Sequence, residues 1–230
     1  MSEFNYIKKN CDELLAEIAE MAKRLGRAPA EMVAVTKSGS DEEFLALLAC
    51  GIGDFAENRP AELKRRAALA KEQGYDIRAH QIGSLQRNKV KLVIPEASLI
   101  HSVDSLRLAE EIDRRAEKLG TVAAVLIEVN SGEEENKGGV LPKDAEALFL
   151  EVKGLSHVSV KGIMTMGPDD DGIREAFRRT KEIFDCISEK YGFDTDSPIL
   201  SMGMSESYKE AIEEGATMVR IGRRLFKKEN

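Results

Sequence analysis

Eight short runs rich in β-branched and apolar residues recur along this chain, and segments with helical spacing separate them. The runs are "MVAVTK" (32–37), "GDFAEN" (53–58), "RAHQIGS" (78–84), "LIHSVD" (99–104), "VAAVLIEVN" (122–130), "VSVKGIMTM" (158–166), "PILSMGM" (198–204) and "TMVRIG" (217–222). Such runs, bounded by turn residues, read as strands. Between them "DEEFLALLAC" (41–50), "SLRLAEEIDRRAEKLG" (105–120) and "DGIREAFRRTKEIFDCISEKYG" (171–192) read as helices. The last two open on Ser105 or Asp171, a candidate N-cap, and close on glycine. Strands alternating with helices specify parallel βαβ units, and eight of them close a (β/α)₈ TIM barrel, whose usual size is near this length of 230 residues. The rival, an open doubly wound sheet, typically uses fewer strands and carries a glycine-rich fingerprint after the first. Here that turn is "TKSGSD", which lacks it. No linker, repeat or low-complexity tract divides the chain. The expectation is one α/β barrel domain over 1–230, with an extra N-terminal helix within 1–30. That helix, 3–26, carries Tyr6, Ile7, Leu14, Leu15, Ile18, Met21, Ala22 and Leu25 at helical spacing, with Gly26 as its stop.

The formal charge of −7 argues against general nucleic-acid binding, which usually shows a basic balance. Cys11, Cys50 and Cys186 are odd in number, far apart and without metal spacing, so free thiols in a reducing compartment are expected. The first residues lack the apolar core of a signal peptide, and no run reaches transmembrane length. These features together describe a cytoplasmic protein with no membrane partner.

In a barrel, ligands bind at the C-terminal ends of the strands. Those ends here carry Lys37, Glu57, Asn58, Gly83, Ser84, Asp104, Asn130, Met166, "SMGMS" (201–205) and "RIG" (220–222). Ser201, Gly203, Ser205 and Gly222 are small residues at the ends of strands seven and eight, where many barrels bind phosphate. In "SMGMSESYKEAIEEG" the small-residue turn leads into a helix, whose N-terminal N–H groups favour an anion. Lys37 ends the first strand, the neighbour of the eighth. It is either a solvated strand end or an amine beside other cations in a partly desolvated mouth. There it would lose preference for its charged form and condense with an aldehyde. Aldehyde plus phosphate describes pyridoxal 5′-phosphate (PLP) and also several sugar phosphates. Arg220, inside the last strand, needs a partner: a phosphate, a ring nitrogen, or an internal carboxylate such as Glu128. His80 and Asn58 are polar groups near the ends of strands three and two. His101 and His157 form no cluster with His80, so no metal is expected. The charges of "AELKRRAALAKEQ" read as a solvated helix face. Met164, Met166, Met202 and Met204 read as interior and rim fillers.

The segments "VAVTK", "FAENRPAEL", "HQIGSLQRNK", "HSVDS", "GIMTM", "LSMGMS" and "ATMVRIG" occur in an order and spacing that resembles the pyridoxal phosphate homeostasis proteins, the YggS/PROSC-like group, from about residue 32 to 226. The resemblance implies an alanine-racemase-type barrel. It also implies PLP held on Lys37 as a Schiff base, with Asn58 and His80 near the cofactor. Ser201 and Gly222 with neighbouring backbone then cradle the phosphate, and Arg220 faces the pyridine nitrogen. An arginine there disfavours protonation of that nitrogen and weakens the ring as an electron sink. The chain departs from the family pattern at Ala56, Arg59, Ser84 and Ser207. Arg223 and Arg224 stand where small residues are usual, and Arg223 is a candidate phosphate contact. The implied function is PLP homeostasis and delivery, with transient contact to PLP-dependent apo-enzymes and without robust catalysis. Two alternatives are a PLP-dependent amino-acid racemase and a Schiff-base aldolase acting on a sugar phosphate. Related racemases take a second base from another domain across a dimer. This chain ends eight residues after Gly222, so a monomer without that domain is expected.

Overall fold

The computed structural model describes residues 4–168 and 171–228. The start of the leading helix, expected at residue 3, lies outside them. Eight parallel strands close on themselves in the order β1-β2-β3-β4-β5-β6-β7-β8. The strands are β1 (Glu31–Val35), β2 (Asp54–Glu57), β3 (Arg78–Gln81), β4 (Ala97–Val103), β5 (Ala123–Glu128), β6 (Val158–Met164), β7 (Ile199–Ser201) and β8 (Met218–Ile221). The α-helices are α1 (Asn5–Leu25), α2 (Asp41–Ala49), α3 (Pro60–Glu72), α4 (Val90–Val93), α5 (Leu106–Lys118), α6 (Ala145–Lys153), α7 (Ile173–Tyr191) and α8 (Tyr208–Glu213). The anticipated barrel with an extra leading helix is present. α1 buries Ile7, Cys11, Leu14, Ile18, Met21 and Ala22, one face at spacings of three and four. Burying each large apolar side chain contributes about 1.5–3 kcal/mol, which fastens α1 to α2 and α8. Gly26, at φ 65°, then ends it in the left-handed conformation.

The period-two alternation of each strand separates two apolar layers. One set packs outward against the helices, including Met32, Ala34, Phe55, Ile100, Ile127, Ile163 and Ile221. The other fills the barrel interior: Val33, Val35, Ala56, Leu99, Leu126, Met164 and Met218. Met202 belongs to the outer layer, not to the interior as expected, because Ser201 beside it takes the inward position.

Several strands stop short of the anticipated runs. β1 ends at Val35, and Gly39 N–H donating to Thr36 O closes a turn before Lys37 can pair. β2 and β7 likewise end at Glu57 and Ser201, which leaves Asn58 and Gly203 in loops. The expected caps also differ. Ser105 stands at the N-cap of α5 as expected, but its hydroxyl donates to Asp104 and makes no cap bond, and Gly172, not Asp171, stands at the N-cap of α7. A capping box does open α2, where Ser40 and Glu43 exchange side-chain and backbone hydrogen bonds.

β6 meets β7 so closely at Gly162 that a Cβ there would lie 1.8 Å from the Ile199 carbonyl oxygen. Gly162→Ala therefore forces the two strands apart. We expect it to lower stability by about 1–3 kcal/mol, read as a reduced urea midpoint.

Candidate functional site

The alternation that points Val33 and Val35 inward gives Lys37 the same parity, at the C-terminal mouth of the barrel. Its side chain is exposed and lines two adjoining cavities. Desolvation by the protein, anticipated from the sequence, is not what surrounds it. The larger cavity, about 430 Å³, is walled by Val35, Met166, Met204, Ser205, Gly222 and four cations: Lys37, Lys137, Arg220 and Arg223. The smaller, about 350 Å³, joins Lys37 to Asn58, Arg59, Glu57, Glu62 and Arg66. A depression of about 720 Å³ between α1 and α8 lies away from the strand ends, and its acids (Glu17, Glu20, Glu213) and bases (Lys23, Arg24, Lys209) are mixed.

Thr36 turns the opposite way from Lys37, and its hydroxyl donates to Glu57 at 2.6 Å. Arg66 Nε lies 3.3 Å from the same carboxylate, while its Nη2 donates to Gly39 O. Arg66 is 4% exposed, so the charge run around it is not the wholly solvated face expected. Burial raises the Glu57 carboxyl pKa against the opposing pull of Thr36 and Arg66. These contacts pin the short loop that carries Lys37. Arg66 was not legible as a buried residue, because consecutive arginines on a helix point to different faces, Arg65 to solvent and Arg66 inward, without any change in composition.

At the ends of β7 and β8 the Ser205 hydroxyl accepts from Gly222 N–H at 3.2 Å. Gly203 sits at φ 89°, where a Cβ would come 2.5 Å from that of Ala211. Its carbonyl accepts from Arg220 N–H, so Gly203 shapes the turn without lining the cavity. α8 opens only at Tyr208, after a turn in which Ser207 accepts from Met204 N–H, so the small-residue loop does not lead straight into a helix. Arg223 is exposed at the rim, 3.5 Å from Glu206. Arg224 turns away to Glu17 and Tyr208. Its hydrogen bonds lead those that hold the Glu17 carboxyl down at about 2.

Arg220 is 1% exposed. Its Nη1 donates to Ser201 Oγ at 2.7 Å and its Nη2 to Thr165 O at 2.9 Å, while Nε has no partner. Burial lowers its pKa to about 10, partly opposed by the charge of Glu128. Ser201 is wholly buried beneath the guanidinium and does not line the cavity, contrary to the expected phosphate role. His80 likewise lies below the mouth: Nδ1 is 2.9 Å from His101 Nε2, and Nε2 is 3.1 Å from Asp54. The expectation that His80 and His101 are apart is corrected, because β3 and β4 are neighbours and both rings face inward. His101 Nδ1 in turn lies 3.1 Å from Ser201 Oγ. Among the described residues no group of three or more metal-ligating side chains forms.

The family model "Alanine racemase, N-terminal domain" matches residues 10–229. A pyridoxal phosphate homeostasis protein from Aquifex aeolicus is 40% identical over 224 residues, covering 94% of this chain and 96% of that one. The chain belongs to the pyridoxal phosphate homeostasis protein family. A protein of unknown function from Bifidobacterium adolescentis shares this family's fold at TM-score 0.90 and 32% identity, over 98% of this chain and 97% of that one. PipY of Synechococcus elongatus, solved with PLP bound, aligns at TM-score 0.78 and 29% identity over 91% of this chain and all of its own.

Of the anticipated residues, the structure brings Lys37, Ser205, Arg220, Gly222 and Arg223 to one cavity and Asn58 to the adjoining one. Lys137 was missed. It donates to Gly167 O at 2.8 Å and pairs with Glu134 at 2.8 Å. In the sequence it stands in the acidic loop "GEEENKGG", where a lysine reads as a solvated counter-ion.

Glu128, 7% exposed and facing inward, has its carboxyl pushed from an ordinary value near 4.5 to about 7. Burial is the main cause, then Asp104, with Arg220 opposing. Between these values the folded chain keeps a proton that the unfolded chain has released, so this residue makes stability fall as pH rises. Glu128→Gln removes the dependence. Relative to the parent, the variant should gain up to about 3 kcal/mol on going from below pH 4.5 to above pH 7, measured by denaturant unfolding.

Proposed function

We propose that this chain binds PLP at the barrel mouth through Lys37 and holds it for intracellular PLP homeostasis and delivery, without robust catalysis of its own. One observation carries the reading. A lysine amine, a buried arginine with an unpartnered Nε, and a cationic rim of small residues share a single cavity. Family membership and the PLP-bound PipY structure support it.

PLP supplies, when bound, an aldehyde that condenses with a primary amine, together with an anionic phosphate and a pyridine ring. The residues present fit that group. Lys37 offers the amine from a pinned loop. Ser205 and Gly222 would cradle the phosphate, with Arg223 and Lys137 supplying charge. Arg220 keeps its proton at neutral pH and would offer Nε to the ring nitrogen. A fixed cation at that atom opposes its protonation, which suits holding the group more than drawing electrons into it. Asn58 would border the amine from the second cavity. Ser201 and His80 act from beneath, through Arg220. In its finer form the proposal is a monomeric cytoplasmic carrier in transient contact with PLP-dependent apo-enzymes. No helix among the described residues is long and apolar enough to cross a membrane.

The test is the visible absorption spectrum before and after adding PLP. Wild type should gain a band that borohydride traps covalently on Lys37, and Lys37→Ala should not. Identical spectra from the two proteins would end the PLP reading. The two adjacent arginines separate further. Arg223→Ala should weaken PLP binding about fivefold, whereas Arg224→Ala, engaged with Glu17 and Tyr208, should leave it unchanged.

A further inference from the structure

We propose that Asp54, His80, His101 and Ser201 form a one-way hydrogen-bond relay that positions Arg220, every donor pointing from the guanidinium toward the Asp54 carboxylate. The contacts run without a gap along the barrel interior. Arg220 Nη1 to Ser201 Oγ is 2.7 Å, Ser201 Oγ to His101 Nδ1 is 3.1 Å, His101 Nε2 to His80 Nδ1 is 2.9 Å, and His80 Nε2 to Asp54 Oδ1 is 3.1 Å. Asp54 begins β2, at the end of the barrel opposite the mouth, and its other oxygen takes Arg78 at 2.6 Å.

The direction follows from what each group can do. An ionised carboxylate only accepts, so His80 Nε2 carries a proton. A neutral His80 then accepts at Nδ1, which places a proton on His101 Nε2. A neutral His101 accepts at Nδ1, so the Ser201 hydroxyl donates to it. The serine oxygen remains free to accept from Arg220, which has donors alone. Asp54 and His101 have the protonation this requires. Burial pushes the Asp54 carboxyl up, but the bonds from His80 and Arg78 outweigh it and hold its pKa below the ordinary value. Burial first, with the charge of Arg220 adding to it, keeps the His101 pKa well below the usual imidazole range. One arrangement competes. A His80 imidazolium would donate at both nitrogens and reverse His101, placing a second cation in the interior when Arg78 already pairs with Asp54.

The relay ties the Arg220 charge to a carboxylate at the opposite end of the barrel through neutral, oriented groups. Thr165 O and Ser201 Oγ together fix the guanidinium and leave Nε buried without a partner. Asp54, His80, His101 and Ser201 are thus positioning residues. Their effect on ligand binding rests on the PLP reading, whereas the relay itself does not.

The test uses the full chain labelled with ¹⁵N-histidine, whose three histidines are assigned by single replacements, with long-range ¹H–¹⁵N spectra taken at neutral pH without PLP. Expected are Nε2–H tautomers at both His80 and His101. An Nδ1–H tautomer or an imidazolium at either ring overturns the proposal. Asp54→Ala should mix the tautomers and weaken PLP binding about tenfold, with borohydride trapping on Lys37 retained. Asp54→Asn keeps an acceptor oxygen and should restore both signals. Unchanged tautomers and affinity in Asp54→Ala would also overturn the proposal. If Asp54→Ala does not fold, the wild-type tautomers still decide the direction. If wild type takes up no PLP, the PLP reading fails and the tautomers judge the relay alone.

Discussion

The pairing of β1 with β8 is the constraint on which the site depends. It sets Val33 beside Arg220 and Ala34 beside Ile221, although these residues lie nearly the whole chain apart. Without that closure Lys37 and Arg220 would belong to opposite edges of an open sheet. With it, strand parity alone sends both side chains toward the same mouth. α1 and the C-terminal segment reinforce the seam from outside. Asn10 donates to the carbonyls of Leu225 and Lys227, and Arg224 bonds to Glu17 on α1.

Closing the barrel also buries a guanidinium, and an uncompensated buried charge is strongly destabilising. The chain answers with several moderate contacts instead of one close ion pair. Ser201 and Thr165 take hydrogen bonds, while Glu128 acts through space and itself shifts toward its neutral form. A carboxylate bonded directly to Arg220 would neutralise it and occupy its donors. The observed arrangement keeps the cation and leaves one buried donor, Nε, without a partner.

The architecture was legible in the sequence because apolar runs of period two, separated by helical segments, survive without any knowledge of partners. The position of Lys37 was legible for the same reason, since counting by twos from Val33 reaches it. What escaped depends on registers between strands. His80 and His101 meet only because β3 and β4 pair with a register shift between Ala79 and His80, which no local pattern announces. Ser201 and Ser205 look alike in "SMGMS", yet one lies beneath the arginine and the other at the rim. Arg66 and Arg224 sit in charge runs typical of solvated surface, and only tertiary packing distinguishes them from their neighbours Arg65 and Arg223.

The pinning of residues 36–39 by Glu57 and Arg66 makes Lys37 a flexible arm on a rigid post. The loop backbone is already ordered, so a ligand bound at the amine would restrict mainly the lysine's own rotors, about 1.5–2 kcal/mol of conformational entropy. Release returns that freedom without loosening the loop. Engaging or releasing a ligand at that amine would then ask no movement of the packed barrel around it.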